Sequence, residues 1–277
     1  MLKVNMLGTL SFELDGKLLQ PNLGQRGCLF ASYLIQFKGP HRRDYLVDLF
    51  WPDLTPEKAR CAFNNATWRL RRLLELDPTV GGDRLRRIGD DLTLEHSAHL
   101  RADTHELSWA ANRVMQHEKG EPLGPDEEIA AANSVQNYRG PFLEGMDFHW
   151  ILPERGHLHE LCVKIQNHLV RLSVSRGDHE GALIHAQRMA AVDPLNERVH
   201  GDLMLLLLLI GRQADAVRCY ERLESLLRTE LAIRPMPETQ RLADLIKSGA
   251  VFGEINTLTA SRFRLASIGG RNLTNAA

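Results

Sequence analysis

Asp48–Leu49–Phe50–Trp51–Pro52–Asp53, followed by Ala59–Arg60–Cys61–Ala62–Phe63–Asn64–Asn65–Ala66–Thr67–Trp68–Arg69–Leu70–Arg71–Arg72–Leu73–Leu74, decides how this chain is read. A short helix is expected to end at Trp51–Pro52, because proline disfavours helical backbone in the residue before it. A turn follows, and then a long amphipathic helix with arginines on its open face. One helix bracing a module while the next carries side chains to base-pair edges is the construction of a helix-turn-helix.

Placing successive residues about 100° apart around the helix separates two faces. With Phe63 as origin, Ala59, Ala62, Ala66, Leu70, Leu73 and Leu74 share one apolar arc, with Thr67 at its edge. Asn64, Asn65, Trp68, Arg71 and Arg72 lie opposite, and Arg60 and Arg69 border the two faces. Asn and Arg form paired hydrogen bonds with adenine and guanine edges in the major groove, and Arg also holds phosphate. A plainer account is a solvated helix whose arginines only keep it soluble. A large aromatic on the polar face, Trp68, is poorly explained that way, although packing against a neighbouring domain would also account for it.

A second basic element follows. Arg84–Leu85–Arg86–Arg87–Ile88 and Leu92–Thr93–Leu94–Glu95 alternate around Gly89–Asp90–Asp91, which reads as a β-hairpin. Directly after such a helix it is a wing, with Arg84, Arg86 and Arg87 placed to reach phosphates. From Lys58 to Arg87 there are eight Lys or Arg against three acids, Glu75, Asp77 and Asp83, whereas the first hundred residues carry 14 basic against 12 acidic. The basic character is focused on one face. Asp90 and Asp91 argue against deep insertion of the hairpin tip.

Upstream, Leu2–Leu7, Ser11–Leu14 and Lys17–Leu19 alternate and are joined at Gly8 and Asp15–Gly16, predicting a small antiparallel sheet. Gln25–Phe37 is a largely apolar helix-length run closed by Gly39–Pro40, and Asp44–Phe50 is the short bracing helix. The expected order is β-β-β-α-α-α-β-β, a winged helix with an N-terminal sheet.

This order resembles the DNA-binding domain of two-component response regulators. Leu49–Phe50–Trp51–Pro52–Asp53, Ala59–Arg60 and Trp68–Arg69–Leu70–Arg71–Arg72–Leu73–Leu74 are more specifically similar to the SARP-type activators, in which this module is joined to a helical bacterial transcriptional activator domain. The resemblance continues to about Lys247. It departs at the wing turn, where family members often carry an aromatic and this chain has Ile88–Gly89–Asp90–Asp91–Leu92. It implies tandem direct-repeat sites near promoters and contact with RNA polymerase subunits.

From about Arg101 onward no strand pattern is expected. Thr104–Lys119 and Asp126–Tyr138 read as helices, with Tyr138–Arg139–Gly140–Pro141–Phe142–Leu143–Glu144–Gly145 a Gly/Pro-punctuated loop. This loop resembles the family's stretch before a long helix, which implies a helix over about Pro153–Arg176. Glu144–Trp150 is rich in aromatics whose face the sequence does not reveal. Gly177–Asp178–His179–Glu180–Gly181–Ala182 recurs 34 residues later as Gly211–Arg212–Gln213–Ala214–Asp215–Ala216, which is the tetratricopeptide period. Such a stack exposes a groove for protein contact, or simply spaces or dimerises the DNA-binding module. From Gly249 to Ala277 no helical period is sustained, and a mostly flexible tail is expected, with Arg262–Leu265 able to form a short strand or helix when docked.

At 277 residues, 43% hydrophobic and net charge −1, the chain has the length of two ordinary domains and no polyanion signal overall. The longest apolar run, Leu203–Ile210, is far short of the ~20 residues of a membrane span. Met1–Leu10 does not read as a signal peptide. Cys28, Cys61, Cys162 and Cys219 lack paired spacing, so free thiols in a reducing cytoplasm are expected. No phosphate loop, nucleophile elbow or zinc pairing is present. His159–Glu160–Leu161–Cys162–Val163 and His105–Glu106–Leu107–Ser108–Trp109 begin like a metalloprotease motif but lack its second histidine. No enzyme activity, cofactor or metal is expected.

The sequence therefore predicts a mainly α fold with small β elements: a winged helix-turn-helix over residues 1–98, a tetratricopeptide-like helical activator domain over 99–248, and a flexible tail over 249–277. The expected partner is double-stranded DNA, read or gripped by Arg60, Asn64, Asn65, Trp68, Arg69, Arg71, Arg72, Arg84, Arg86 and Arg87. RNA polymerase subunits or a second protomer would engage the helical domain, and no membrane is involved. Competing readings are a tetratricopeptide-like interaction scaffold and a ligand-responsive repressor.

Overall fold

The computed structural model describes residues 1–77, 84–95, 100–249 and 252–263, and the chain divides into two compact units, 1–162 and 163–277. In the first unit β1 (Leu2–Asn5), β2 (Ser11–Leu14) and β3 (Lys17–Leu19) form an antiparallel meander, with Leu2 opposite Leu14 and Phe12 opposite Leu19. Asp15 and Gly16 turn the β2–β3 hairpin at φ 50° and 79°. Positive φ at both central residues is what the tight two-residue hairpin turn requires.

Three helices follow: α1 (Gly24–Gln36), α2 (Arg43–Phe50) and α3 (Pro56–Leu74). Pro56 opens α3 at a position where a missing N–H costs nothing. Between α1 and α2 lies a strand that the sequence pattern did not show, β4 (Pro40–Arg42). It is an edge strand in the order β4-β6-β5, pairing His41 with Leu92 of β6 (Asp91–Leu94), which in turn pairs with β5 (Leu85–Ile88). The expected absence of strands after Arg101 needs a matching correction. Leu100–Ala102 forms β7, hydrogen-bonded parallel to β1 with Leu2 opposite Leu100.

Aromatic rings hold the helices together. Buried Phe30 of α1 meets Phe50, Trp51 and Phe63 at centroid distances of 5.7, 5.8 and 5.7 Å. Tyr33 adds Phe50 at 5.6 Å and Phe37 at 4.8 Å. The aromatic segment of unknown face closes this cluster. Phe148 stacks on Phe50 at 5.8 Å, and Trp150 stands edge-on to Tyr33 at 5.2 Å and to Phe142 at 5.9 Å. Edge and offset ring pairs of this kind add ~0.5–1.5 kcal/mol each beyond area burial.

The unit is completed by α4 (Asp103–Glu118), α5 (Pro125–Gln136) and the start of α6 (Ile151–Ser175). The Asp103 carboxylate is buried and accepts N–H bonds from Met6, Leu7 and Thr104, all at 2.8–2.9 Å. The Gly/Pro loop runs alongside β1's exit: Leu143 N–H donates to the Met6 carbonyl at 2.8 Å and Gly8 N–H to the Pro141 carbonyl at 3.1 Å. The Arg155 guanidinium holds the loop from the other side by donating to the carbonyls of Phe142, Leu143 and Met146. Gln36 at the end of α1 donates to Glu154 at 2.7 Å and accepts from Thr104 at 2.6 Å.

The second unit stacks the rest of α6 with α7 (His179–Val192), α8 (Glu197–Leu209), α9 (Gln213–Leu231) and α10 (Pro237–Lys247). The 34-residue repeat has a direct structural counterpart. Gly177 and Gly211 both turn at left-handed φ, 75° and 76°, and Ala182 and Ala216 five residues on are both fully buried. α8 is buried over most of its length, as its leucine run implies. The expectation of a flexible tail is corrected in part: Phe252–Arg262 is helix α11, packed on α8 with Phe263 buried behind it. Its docking depends on distant side chains, so no local period announced it. The rest of the tail lies outside the described residues. Among the described residues no helix is long and apolar enough to cross a membrane, and no cluster of three or more metal-ligating side chains occurs.

Phe30→Ala is expected to lower stability by about 3–5 kcal/mol in a denaturant or thermal titration, because the cavity would lie where three helices meet. Burial raises the Asp103 pKa to about 6 against the lowering influence of its three amide donors. A folded pKa above the unfolded 3.8 means that this carboxyl favours folding most below 3.8 and loses that contribution as pH rises through 6. The melting-temperature difference between wild type and Asp103→Asn should therefore move in favour of wild type as pH falls from about 7 to about 4.5. A difference that does not change with pH would contradict it.

Candidate nucleic-acid interface

The apolar arc expected of α3 is the face it buries: Ala59, Phe63, Ala66, Leu70, Leu73 and Leu74 are all inside. Arg60, Asn64, Asn65, Trp68, Arg69 and Arg72 are consequently exposed on the opposite side and its borders. Trp68 is 58% exposed, and its ring carries the Arg72 guanidinium at 5.7 Å from the centroid. Arg72 also reaches Glu75 at 3.5 Å. Trp68 and Arg72 thus form an aromatic–guanidinium pair on the outer surface, a combination suited to stacking and to hydrogen bonding at once.

Arg71 is placed differently. It is half-buried on the flank of α3 facing the wing, and its guanidinium donates to the Leu85 carbonyl of β5 at 2.9 Å. It therefore ties the helix to the hairpin. The groove between them has a volume of about 250 Å³ and is lined by Asn64, Trp68, Arg71, Arg87, Asp90 and Asp91, among others. A residue that the sequence did not single out also belongs here. Arg43, at the start of α2, lays its guanidinium 5.4 Å from the centre of the Phe63 ring, and its backbone N–H donates to the Asp90 carbonyl at 2.9 Å. The basic run His41–Arg42–Arg43 just ahead of α2 was the available signal.

On the wing, Arg86 and Arg87 are exposed, and Arg86 pairs with Glu95 at 3.1 Å across 59% and 56% exposed side chains. Such a pair is cheap to open, since exposed ion pairs are worth ~0–1 kcal/mol. Arg87 donates from Nε to the Gly89 carbonyl at 3.1 Å. Ile88 stands 67% exposed at the hairpin end. Arg84 is a correction to the expected phosphate contacts. It is only 5% exposed and pairs with the buried Asp77 at 3.6 Å, a carboxylate that the Met1 ammonium also approaches at 3.3 Å, so its guanidinium is turned into the fold and away from solvent. Strand alternation does not account for it, since Arg84 has the parity of exposed Arg86 and adjoins buried Leu85. Arg84 lies just before the strand, and its pairing with Asp77 is what takes it inside. The acids at the tip and at Glu95 partly balance the wing's arginines, which leaves the outward face of α3 as the main open basic surface. All four cysteines are free thiols, and Cys61 is exposed on α3.

Known proteins match both halves. The family model described as the bacterial transcriptional activator domain matches residues 109–247, just over half of the chain. The regulatory protein AfsR of Streptomyces coelicolor is 26% identical over 265 residues, which is 94% of this chain and 26% of AfsR. The transcriptional regulatory protein EmbR of Mycobacterium tuberculosis is 25% identical over 256 residues, 88% of this chain and 63% of EmbR. The chain thus spans about a quarter of the length of AfsR and less than two thirds of EmbR. The solved structure of M. tuberculosis EmbR in complex with a low affinity phosphopeptide superimposes with a TM-score of 0.61 at 20% identity, covering 94% of this chain and 69% of that one, a likeness of fold. With a winged helix followed by tetratricopeptide-like helices and this match over residues 109–247, the chain belongs to the bacterial transcriptional activator domain family, in its SARP-type arrangement.

Proposed function

We propose that this chain is a sequence-specific DNA-binding transcriptional activator of the cytoplasm, with no enzymatic activity of its own. The observation that carries the reading is the split of α3: one arc is buried on the aromatic cluster, and the other presents Asn64, Asn65, Trp68 and Arg72 to solvent with Arg60 and Arg69 beside them. An α-helix fits the major groove, and Asn and Arg are the side chains that pair bidentately with adenine and guanine. In this reading Asn64, Asn65 and Arg72 face base edges, Trp68 supports Arg72, and Arg60, Arg69, Arg86 and Arg87 hold phosphates. Arg71 sets the spacing between helix and wing.

Residues 1–98 then act as the DNA-binding part and 99–248 as the activator part, with RNA polymerase subunits or a second protomer as its partner and repeated promoter sites as its target. The printed names of AfsR and EmbR, a regulatory protein and a transcriptional regulatory protein, support this class of function. Selection of bound fragments from random DNA tests it directly. Recovery of a motif with repeated half-sites supports the reading, and retention of no fragment at low salt would favour a protein scaffold.

Asn65→Ala should relax the selected motif at one position and cost about 1–3 kcal/mol on the best site, with little loss on random DNA. Arg86→Ala should weaken binding to all sequences and lower the salt slope by about 1. Arg84→Ala should do neither. It should lower stability in denaturant titrations, but by less than the ~3–5 kcal/mol of an uncompensated buried charge, because the Met1 ammonium still pairs with Asp77 at 3.3 Å, while the salt slope of the folded fraction stays unchanged.

A further inference from the structure

Helix α8 is apolar throughout its middle, yet Gly201 and Asp202 interrupt it. A glycine inside a helix costs ~0.5–1 kcal/mol relative to alanine, and a buried aspartate needs a partner. Both are explained by one side chain. Arg262, at the end of α11, pairs through Nε with the Asp202 carboxylate and donates from Nη2 to the Arg198 carbonyl at 2.8 Å. A Cβ on Gly201 would overlap Nη2 and lie 2.8 Å from Cζ, so glycine lets the guanidinium lie flat against the helix in this position, and a larger residue would make it shift. Arg198, Gly201 and Asp202 fall at i, i+3 and i+4, which puts carbonyl, floor and carboxylate on one helix face.

The next residue, Phe263, is 3% exposed and enters the apolar cluster that includes Leu203, Met204, Leu207 and Ile246. Asp202 itself is 8% exposed; burial raises its pKa, and the Arg262 charge opposes that rise. The face of α8 is thus built as a guanidinium socket with an aromatic slot beside it. The helix that fills it, α11, carries exposed Thr257, Leu258, Ala260 and Ser261 on its other side, and packs chiefly on α8.

We propose that this face of α8 is a docking site for a protein helix ending in arginine followed by an aromatic residue, and that α11 occupies it in cis as a self-ligand. A partner helix of the same chemistry binds by displacing Arg262 and Phe263. While α11 is seated, the apparent affinity for such a partner is reduced by the fraction of molecules with the socket open.

The test uses the full-length chain carrying Arg262→Ala with Phe263→Ala, and a fluorescent peptide of residues 252–263 as probe. Saturable binding to this variant, at least about tenfold tighter than to wild type, supports the proposal when Asp202→Asn added to the variant weakens it several-fold. A folded variant that binds no peptide overturns it, as does equal binding of a peptide in which the arginine is alanine. A wild-type dimer that the double variant converts to monomer also overturns it, since α11 would then be exchanged between copies. Should the double variant fail to fold, hydrogen exchange on wild type decides. Amides of α11 at least about a hundredfold less protected than those of α8 support a displaceable plug, and equal protection marks α11 as a fixed part of the core.

Discussion

Everything that α3 offers outward depends on the seat of Phe63 against Phe30, Trp51 and the Arg43 guanidinium. A helix can bury only one arc, and this pocket selects which. A rotation of one residue, about 100°, would bring Asn64 toward the aromatic cluster and expose Phe63. Burying a large apolar side chain is worth roughly 1.5–3 kcal/mol, and an amide without partners in that pocket would cost a similar amount. The direction of the Asn and Arg side chains is therefore set from inside the fold, by residues that never face solvent on that side.

Arginine is the residue whose role varies most along this chain, and burial decides the role. Arg84 neutralises Asp77 in the interior, Arg155 collects three loop carbonyls, Arg71 joins α3 to the wing, and Arg262 fills a hollow in α8. Arg60, Arg69 and Arg72 stand at the surface. The guanidinium suits all of these places because it is planar, permanently charged and rich in directed donors. A count of basic residues between Lys58 and Arg87 consequently overstates the charge presented to a polyanion, and acids at Asp90, Asp91 and Glu95 reduce it further.

What was legible in the sequence was what repeats over short distances. The faces of α3, the β5–β6 hairpin, the three-stranded meander and the 34-residue helix repeat all follow from period and turn chemistry, and the structure has each of them. The strands β4 and β7 were not legible, since no tight turn ties either to a neighbouring strand, as Asp15–Gly16 ties β3 to β2, and their partners β6 and β1 lie far away in sequence. The same limit hid α11, whose anchors lie some sixty residues upstream in Arg198 and Asp202. In the interface, position on the helix wheel separated outward from inward residues on α3 but could not tell Arg84 from Arg86, because Asp77 had to be found in space.

The triple junction at Gln36 carries a mechanical corollary. One amide side chain joins the C-terminal end of α1 to Thr104 on α4 and to Glu154 on α6, and the rings of Tyr33 and Phe50 are sealed by Trp150 and Phe148. The helices that brace α3 are thereby fastened to segments far beyond the winged module. Hinging between them would require breaking polar and aromatic attachments together. A shift of α1 and α2, and with them of the seat of α3, is thereby coupled to residues as far along the chain as Thr104 and Glu154.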